Sequence, residues 1–289
     1  MKCRDRFGND VYVNEEQGKL LSLLYDTTPG KVLLSILVKP CVSKLAGIFL
    51  DSKTSTLLIK PFIRHAGIDM SEYIPTSFKS YNDFFTRKIK PECRVLDTRP
   101  EHLISPCDSK LSVYPINDNS VFTIKGTDYT LSSLVKNDKL ARHYKGGTLL
   151  MFRLCVDDYH RYCFVDDGIK TKNHHIKGVF HTVNPIANDH YPIYKENTRE
   201  FCILKSMNFG NILTMEVGAL LVGRIVNYCG KRNVRRGEEK GRFEFGGSTI
   251  ILCFEKDSVV IDNDILENSA NGIETIVKLG ERIGATCAE

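Results

Sequence analysis

Phe245-Gly246-Gly247-Ser248-Thr249-Ile250-Ile251-Leu252-Cys253-Phe254 is the stretch from which the fold of this chain is read. Its second half is a short apolar run bounded by turn residues, which predicts a buried strand. Two adjacent glycines open backbone conformations that side chains close. A basic, glycine-rich run, Gly237-Glu238-Glu239-Lys240-Gly241-Arg242, leads in. Taken alone, the stretch predicts a Gly-Gly turn between two strands, with Ser248 and Thr249 as ordinary turn residues. It also leaves the Gly247 carbonyl open to attack from Ser248 Oγ.

Working outward, short runs of the same kind recur at Leu111–Tyr114, Val121–Ile124, Thr148–Leu154, Cys163–Val165, Gly178–His181, Arg199–Leu204, Ile212–Val217 and Leu220–Tyr228. Gly, Asn and Asp punctuate them, the pattern of a β-rich, mostly antiparallel domain. Short helices are predicted at Leu131–Asn137 and Ile273–Leu279. Before Pro100 the texture differs. Leucines from Leu20 to Leu24, then Val32–Val38 and Leu45–Leu50, follow a helical pattern that Thr28-Pro29-Gly30 and Lys39-Pro40 divide into separate helices. No run reaches the ~20 apolar residues of a membrane span. Two readings stand: amphipathic helices packed on the rest of the protein, or a helical hairpin in a membrane interface with Lys31, Lys39 and Lys44 near headgroups. Ser80–Pro91 predicts a compact aromatic-basic helix that Pro91 closes, its lysines in solvent. The expected class is α+β, with a helical N-terminal region (residues 1–95) before a β-rich, mostly antiparallel domain (residues 96–289).

The net charge of +5 over 289 residues suits an anionic surface but is too diffuse to indicate nucleic acid. Ten cysteines contain no C-x-x-C pair, and no apolar run follows Met1–Arg6. Free thiols in a reducing cytoplasm are therefore expected.

Three blocks carry candidate chemistry. Ser105-Pro106-Cys107-Asp108-Ser109 places a carboxylate at the mouth of a strand. Asp157-Asp158-Tyr159-His160-Arg161-Tyr162-Cys163 sets a titratable pair, Asp158 and His160, beside an arginine able to hold phosphate or carboxylate. His181 adds an imidazole in a β context, whereas His174 and His175 read as surface residues. No metal-ligand spacing and no phosphate-binding glycine loop appears, so no metal is expected. Asp, His and Ser occur in an order that a hydrolase triad permits, without a G-x-S-x-G elbow.

Six blocks together resemble the phosphatidylserine decarboxylases of prokaryotic type, pyruvoyl-dependent enzymes of phosphatidylethanolamine synthesis. They are Tyr81–Lys88, Ser105–Ser109, Asp158-Tyr159-His160-Arg161, His181-Thr182-Val183-Asn184-Pro185, Glu216-Val217-Gly218-Ala219 and Phe245–Thr249, and they span nearly the whole chain. The resemblance implies that Asp108 and His160 are the acid–base partners of Ser248. It implies self-cleavage between Gly247 and Ser248 into a β-chain, residues 1–247, and an α-chain, residues 248–289, that stay associated. It further implies a homo-oligomer acting on phosphatidylserine, peripheral on the cytoplasmic face of the cell membrane. That substrate favours the interfacial reading of the N-terminal helices. Where the family commonly has a second histidine, three residues after the first, this chain has Cys163. His160, His181 and Cys163 are the candidate cleavage bases, in that order, since a buried thiol needs a cationic neighbour to become a base.

The implied chemistry starts with Ser248 Oγ attacking the Gly247 carbonyl to turn the peptide into an ester. Loss of the Ser248 α-proton then expels Gly247 as a carboxylate and leaves a dehydroalanine, which hydrolyses to a pyruvoyl group and ammonia. The pyruvoyl group forms a Schiff base with phosphatidylserine. Arg161 is a candidate ligand for the substrate's carboxylate or phosphate. Two other readings compete: a serine hydrolase built on Asp108, His160 and Ser248, and a catalytically silent membrane-binding homologue.

Overall fold

The computed structural model describes residues 2–12, 23–117, 119, 121–124, 127–182, 193–219, 224–228, 230–244 and 248–287. Strand Ser248–Phe254 is buried at all seven positions, inside an eleven-stranded sheet. On one side it pairs antiparallel with Asn211–Gly218, on the other with Thr148–Leu154. Beyond Thr148–Leu154 come Ser109–Pro115, Glu274–Val277 and the N-terminal hairpin Lys2–Arg4 and Asp10–Tyr12. Beyond Asn211–Gly218 come Arg199–Ser206, Gly168–Lys170 and Arg232–Val234, with His174–Ile176 also on Arg199–Ser206. All pairs are antiparallel except Lys2–Arg4 with Glu274–Val277. The first strand of the chain thus belongs to the sheet and not to the helices that follow it.

The central strand is apolar throughout because both of its faces are covered. Ile251 and Cys253 join a core with Leu149, Met151, Leu213 and Met215. Ile250, Leu252 and Phe254 join another with Leu150, Phe152, Tyr162 and Phe243. The last two belong to a small sheet of Arg224–Asn227, Glu239–Glu244 and Arg161–Cys163 that packs on this second face. A buried ion pair, Lys240 Nζ to Glu216 at 2.6 Å, ties it to the large sheet. A bulge falls between Glu239 and Gly241, where a Cβ on Gly241 would lie 2.4 Å from the Val226 carbonyl oxygen.

Helix Thr28–Leu37 starts where the sequence pattern breaks: Thr27 Oγ1 accepts the Gly30 N–H at 3.1 Å and Pro29 occupies the first turn. Pro40 likewise opens helix Pro40–Leu50, and the two helical segments are bent by 72°. No single helix among the described residues is long and apolar enough to cross a membrane. Leu34 and Val38 face the first core, and Leu50 packs with Ile59, Tyr81, Phe84 and Phe85. Val32, Leu33, Ile36, Leu45, Ile48 and Phe49 remain exposed, interspersed with exposed Lys31, Lys39 and Lys44.

The chain is therefore a mixed α+β protein with a large antiparallel-rich sheet and few helices. Three local expectations change. Ile273–Leu279 contains strand Glu274–Val277, not a helix. Helix Asn263–Ala270 ends at Asn271, Gly272 turns the chain at φ +69°, and β-branched Thr275 and Ile276 pair with Leu111 and Lys110. Gly178–His181 is no strand but a stretch with one bridge, Val179 to Asn197. Ser80–Pro91 is helical only at Tyr81–Phe85, capped by Ser80, and Arg87 beyond it is buried. Leu20–Leu21 and the Phe245–Gly247 turn lie outside the described residues, as does Leu220–Gly223 of the expected Leu220–Tyr228 strand, which is present as Arg224–Asn227.

Candidate active site

Ser248 opens the central strand, in register with Gly218 on one side and Leu154 on the other. Side chains alternate along a strand, so its hydroxyl lies on the face of Ile250, toward the core that holds Tyr162, Cys163 and Phe243. Oγ is buried and has no hydrogen-bond partner among the described residues. An orphaned buried hydroxyl costs about 1–3 kcal/mol, and here it sits at the position of the expected scissile bond.

His160 immediately precedes strand Arg161–Cys163. Its carbonyl accepts the Phe243 N–H at 2.9 Å, which ties it to strand Glu239–Glu244, the strand that leads toward Ser248. Its Nδ1 lies 2.9 Å from the Asp158 carbonyl oxygen. A carbonyl only accepts, so Nδ1 carries the proton and Nε2 the lone pair. Nε2 is buried and, like Ser248 Oγ, unpartnered among the described residues. The Phe85 ring lies 4.1 Å from the imidazole, centroid to centroid. Burial pulls the imidazole pKa down to about 3, with Arg87 and Lys110 acting the same way against Asp158. The ring is a neutral base.

The expected Asp108–His160 pairing is not formed among the described residues. Arg94 Nε donates to both Asp108 oxygens, at 2.9 and 3.1 Å, and the Leu279 N–H donates to Oδ1 at 2.8 Å. Lys278 Nζ stands 3.7 Å away. Burial pushes this carboxyl up, but Arg94, Lys278 and the Leu279 N–H outweigh it and hold it below its ordinary value. The buried Arg94 guanidinium requires an anion, and Asp108 supplies it. At His160 a backbone carbonyl takes the place expected for Asp108.

Arg161 is also engaged elsewhere. Its Nε donates to the Thr86 carbonyl at 2.8 Å and its Nη1 is ion-paired with Glu239. Cys163 donates its N–H to the Pro106 carbonyl at 2.9 Å. Burial pushes its thiol up to about 12, and among the described residues no cation lowers it, so these surroundings do not support a thiolate base at Cys163. His181 is linked to the serine indirectly. Its N–H donates to Asn197 Oδ1 at 2.9 Å, and Asn197 Nδ2 donates to the Gly218 carbonyl, also at 2.9 Å, on the residue paired with Ser248. His181 Nδ1 lies 3.3 Å from Tyr25 Oη.

A cavity of about 500 Å³ opens between helix Pro40–Leu50 and the ends of strands Arg224–Asn227 and Glu239–Glu244. Ser43, Lys44, Gly47, Ile48, Phe180, Arg224 and Glu244 line it.

Residues 81–285 match the family described as phosphatidylserine decarboxylase. The chain is 48% identical to phosphatidylserine decarboxylase proenzyme 2 of Clostridium acetobutylicum, over 95% of this chain and 94% of that protein. It is 46% identical to the Clostridium tetani phosphatidylserine decarboxylase proenzyme, over 92% and 91%. The Ruminiclostridium cellulolyticum proenzyme is 45% identical over the same shares. The chain belongs to the phosphatidylserine decarboxylase family.

Within this phosphatidylserine decarboxylase fold, three residues at the site carried no signal in the sequence. Arg87, 2% exposed, lies 4.2 Å from the Tyr73 ring centroid and 4.8 Å from that of Phe84, and donates to Tyr73 Oη at 3.1 Å. It lies inside the Tyr81–Lys88 block, where only the lysines are expected in solvent. The sequence does not single out Arg94. Lys110 sits inside a strand pattern where a lysine ordinarily points to solvent, yet it is buried. Only the polar partners that the fold brings up distinguish such residues.

Proposed function

We propose that this chain is a self-processing phosphatidylserine decarboxylase, which converts phosphatidylserine to phosphatidylethanolamine and CO₂ at a site made from Ser248. The observation that carries the reading is a pair of orphaned buried atoms, Ser248 Oγ at the head of the central strand and His160 Nε2 just before strand Arg161–Cys163, neither with a hydrogen-bond partner among the described residues. In cleavage, Nε2 takes the Oγ proton as Oγ bonds to the Gly247 carbonyl carbon and the Gly247–Ser248 amide breaks to an ester and a free amine. Loss of the α-proton then breaks the Cβ–Oγ bond and frees the Gly247 carboxylate. The residues present suit a pyruvoyl group at position 248. Once formed, it supplies a carbonyl that captures the substrate amine and an electron sink for the loss of CO₂. Throughout, the Asp158 carbonyl keeps Nδ1 protonated, and the Phe85 ring, tilted 36° to the imidazole, covers one side of it. Intact-protein mass spectrometry tests the proposal: two masses split between Gly247 and Ser248 are expected, the smaller blocked at its N-terminus. A single full-length mass from active protein overturns it.

Because the imidazole pKa lies well below its ordinary 6.5, Nε2 stays unprotonated as pH falls through the range in which a free histidine would charge. Processing of freshly refolded precursor at pH 5.5 is expected within about threefold of its rate at pH 7.5. A loss of about tenfold centred near 6.5 would point to a solvent-exposed imidazole as the base instead.

The exposed apolar face of helices Thr28–Leu37 and Pro40–Leu50, with its three lysines, supports peripheral attachment to an anionic leaflet, with the adjoining cavity as the route for the lipid headgroup. On this reading the enzyme works on the cytoplasmic face of the cell membrane. Charge reversal of Lys31, Lys39 and Lys44 to Glu together should lower co-sedimentation with phosphatidylglycerol-containing vesicles at least about tenfold, since each lysine near the surface contributes about 1 kcal/mol. Undiminished binding would sink the attachment reading.

A further inference from the structure

The sequence places a carboxylate and an imidazole two residues apart, at Asp158 and His160, and a carboxylate held against the ring would favour its charged form. The structure separates them. Lys110, buried on strand Ser109–Pro115, donates to both carboxylate oxygens of Asp158, at 2.8 and 2.7 Å. Asp158 Oδ2 also accepts the Cys155 N–H at 2.7 Å, and the Asp158 N–H donates back to the Cys155 carbonyl at 3.0 Å. The turn Cys155–Asp158 is thus closed on itself and clamped from the neighbouring strand. What it presents to His160 is the Asp158 carbonyl, 2.9 Å from Nδ1.

A carboxylate and a carbonyl have different consequences at an imidazole. A carboxylate stabilises the charged ring, and a charged ring has no lone pair with which to take a serine proton. A neutral carbonyl accepts one N–H and leaves the ring uncharged, with Nε2 free. We infer that the Lys110–Asp158 ion pair is a positioning device for His160: it engages the carboxylate and holds the turn, so that only the Asp158 carbonyl meets the ring and Nε2 is left as the free base toward Ser248. The inference rests on the reading of His160 as the cleavage base.

Buried ion pairs of this kind are weak contributors to stability, since two matched apolar or neutral groups often serve as well, whereas removing one partner strands the other. The charged groups acting on the ring are Asp158, Lys110 and, from beyond helix Tyr81–Phe85, Arg87. Of these, Asp158 alone favours the charged ring, and Lys110 restrains it. Removing Lys110 by itself therefore releases a carboxylate beside the imidazole, while removing both charges does not.

Two measurements test this. In the uncleaved Ser248→Ala precursor, ¹⁵N spectra of the imidazole, assigned by comparison with Ser248→Ala/His160→Gln, should show at pH 7 a neutral ring protonated on Nδ1. A ring protonated on Nε2, or a charged ring, overturns the inference without any folding question about the pair. In the cleavable chain, Lys110→Met should move the acid limb of processing up by at least about one pH unit, because an unpaired carboxylate favours the imidazolium. Lys110→Met/Asp158→Asn keeps an acceptor for the Cys155 N–H and should return that limb to its original position. A purely structural role predicts slower processing in both variants with the pH dependence unchanged, and that result also overturns the inference. If His160→Gln with Ser248 intact still cleaves, the reading of the base fails first, a result distinct from either of these.

Discussion

Ser248→Ala is expected to leave one full-length chain near 32.7 kDa, with neither self-cleavage nor decarboxylase activity above background. On this reading both functions depend on the same oxygen, which attacks the preceding carbonyl and then leaves Cβ, so that the neighbouring Cα becomes the reactive ketone. Alanine has no atom to replace it, so the loss is complete and not graded. Fold should be retained. Oγ has no hydrogen-bond partner among the described residues, and removing an unsatisfied buried hydroxyl is close to neutral or stabilising. Analysis by mass and by thermal melt checks both halves. In the unsubstituted protein the two chains should separate only under denaturing conditions. The α-chain's first strand has β-chain strands along both edges, and Arg153 of the β-chain donates to Glu274 of the α-chain at 2.9 Å. An active Ser248→Ala protein would end the proposal.

The second large effect separates two side chains that stand three positions apart. His160→Ala should slow cleavage by about 10²–10⁴-fold, the contribution of a well-placed general base, whereas Cys163→Ala should change it by no more than about threefold. A thiol pushed up to about 12 is ionised at neutral pH in only about one molecule in 10⁵, and no cation among the described residues lowers that value. Its part is that of a small buried apolar group in the core with Tyr162, Phe164 and Phe243. Time courses of precursor processing, followed by gel after refolding, compare the two directly. Fast cleavage in His160→Ala would transfer the role to His181, which reaches Ser248's strand partner through Asn197. Slow cleavage in Cys163→Ala, with a normal melt, would restore the thiol.

The layout of the N-terminal helices was legible in part. The prolines at 29 and 40 marked the breaks, because proline lacks the N–H and fixes φ. Which apolar side chains face outward was not legible: Leu34 and Val38 are buried while Leu33 and Ile36 are exposed, a division made by where the helices land on the sheet. At Glu274–Val277 the helical expectation failed because a short apolar run with β-branched residues has no intrinsic bias strong enough to outweigh an available sheet edge.

From its sequence alone this chain determined the strand at Ile250–Phe254, the serine that opens it, the predominance of strands after residue 100, and the family. Each rests on local residue chemistry and chain order. The partners of the charged groups were decided only by tertiary structure. Asp108 is held by Arg94 and Asp158 by Lys110, neither of which sequence proximity indicates, and His160 meets the backbone carbonyl, not the carboxylate, of its near neighbour Asp158. An imidazole takes its protonation state from what the fold packs within about 3 Å of each nitrogen. The expectation of a scissile Gly247–Ser248 bond thus comes from the sequence, whereas the neutral imidazole proposed as its base is made by the packing.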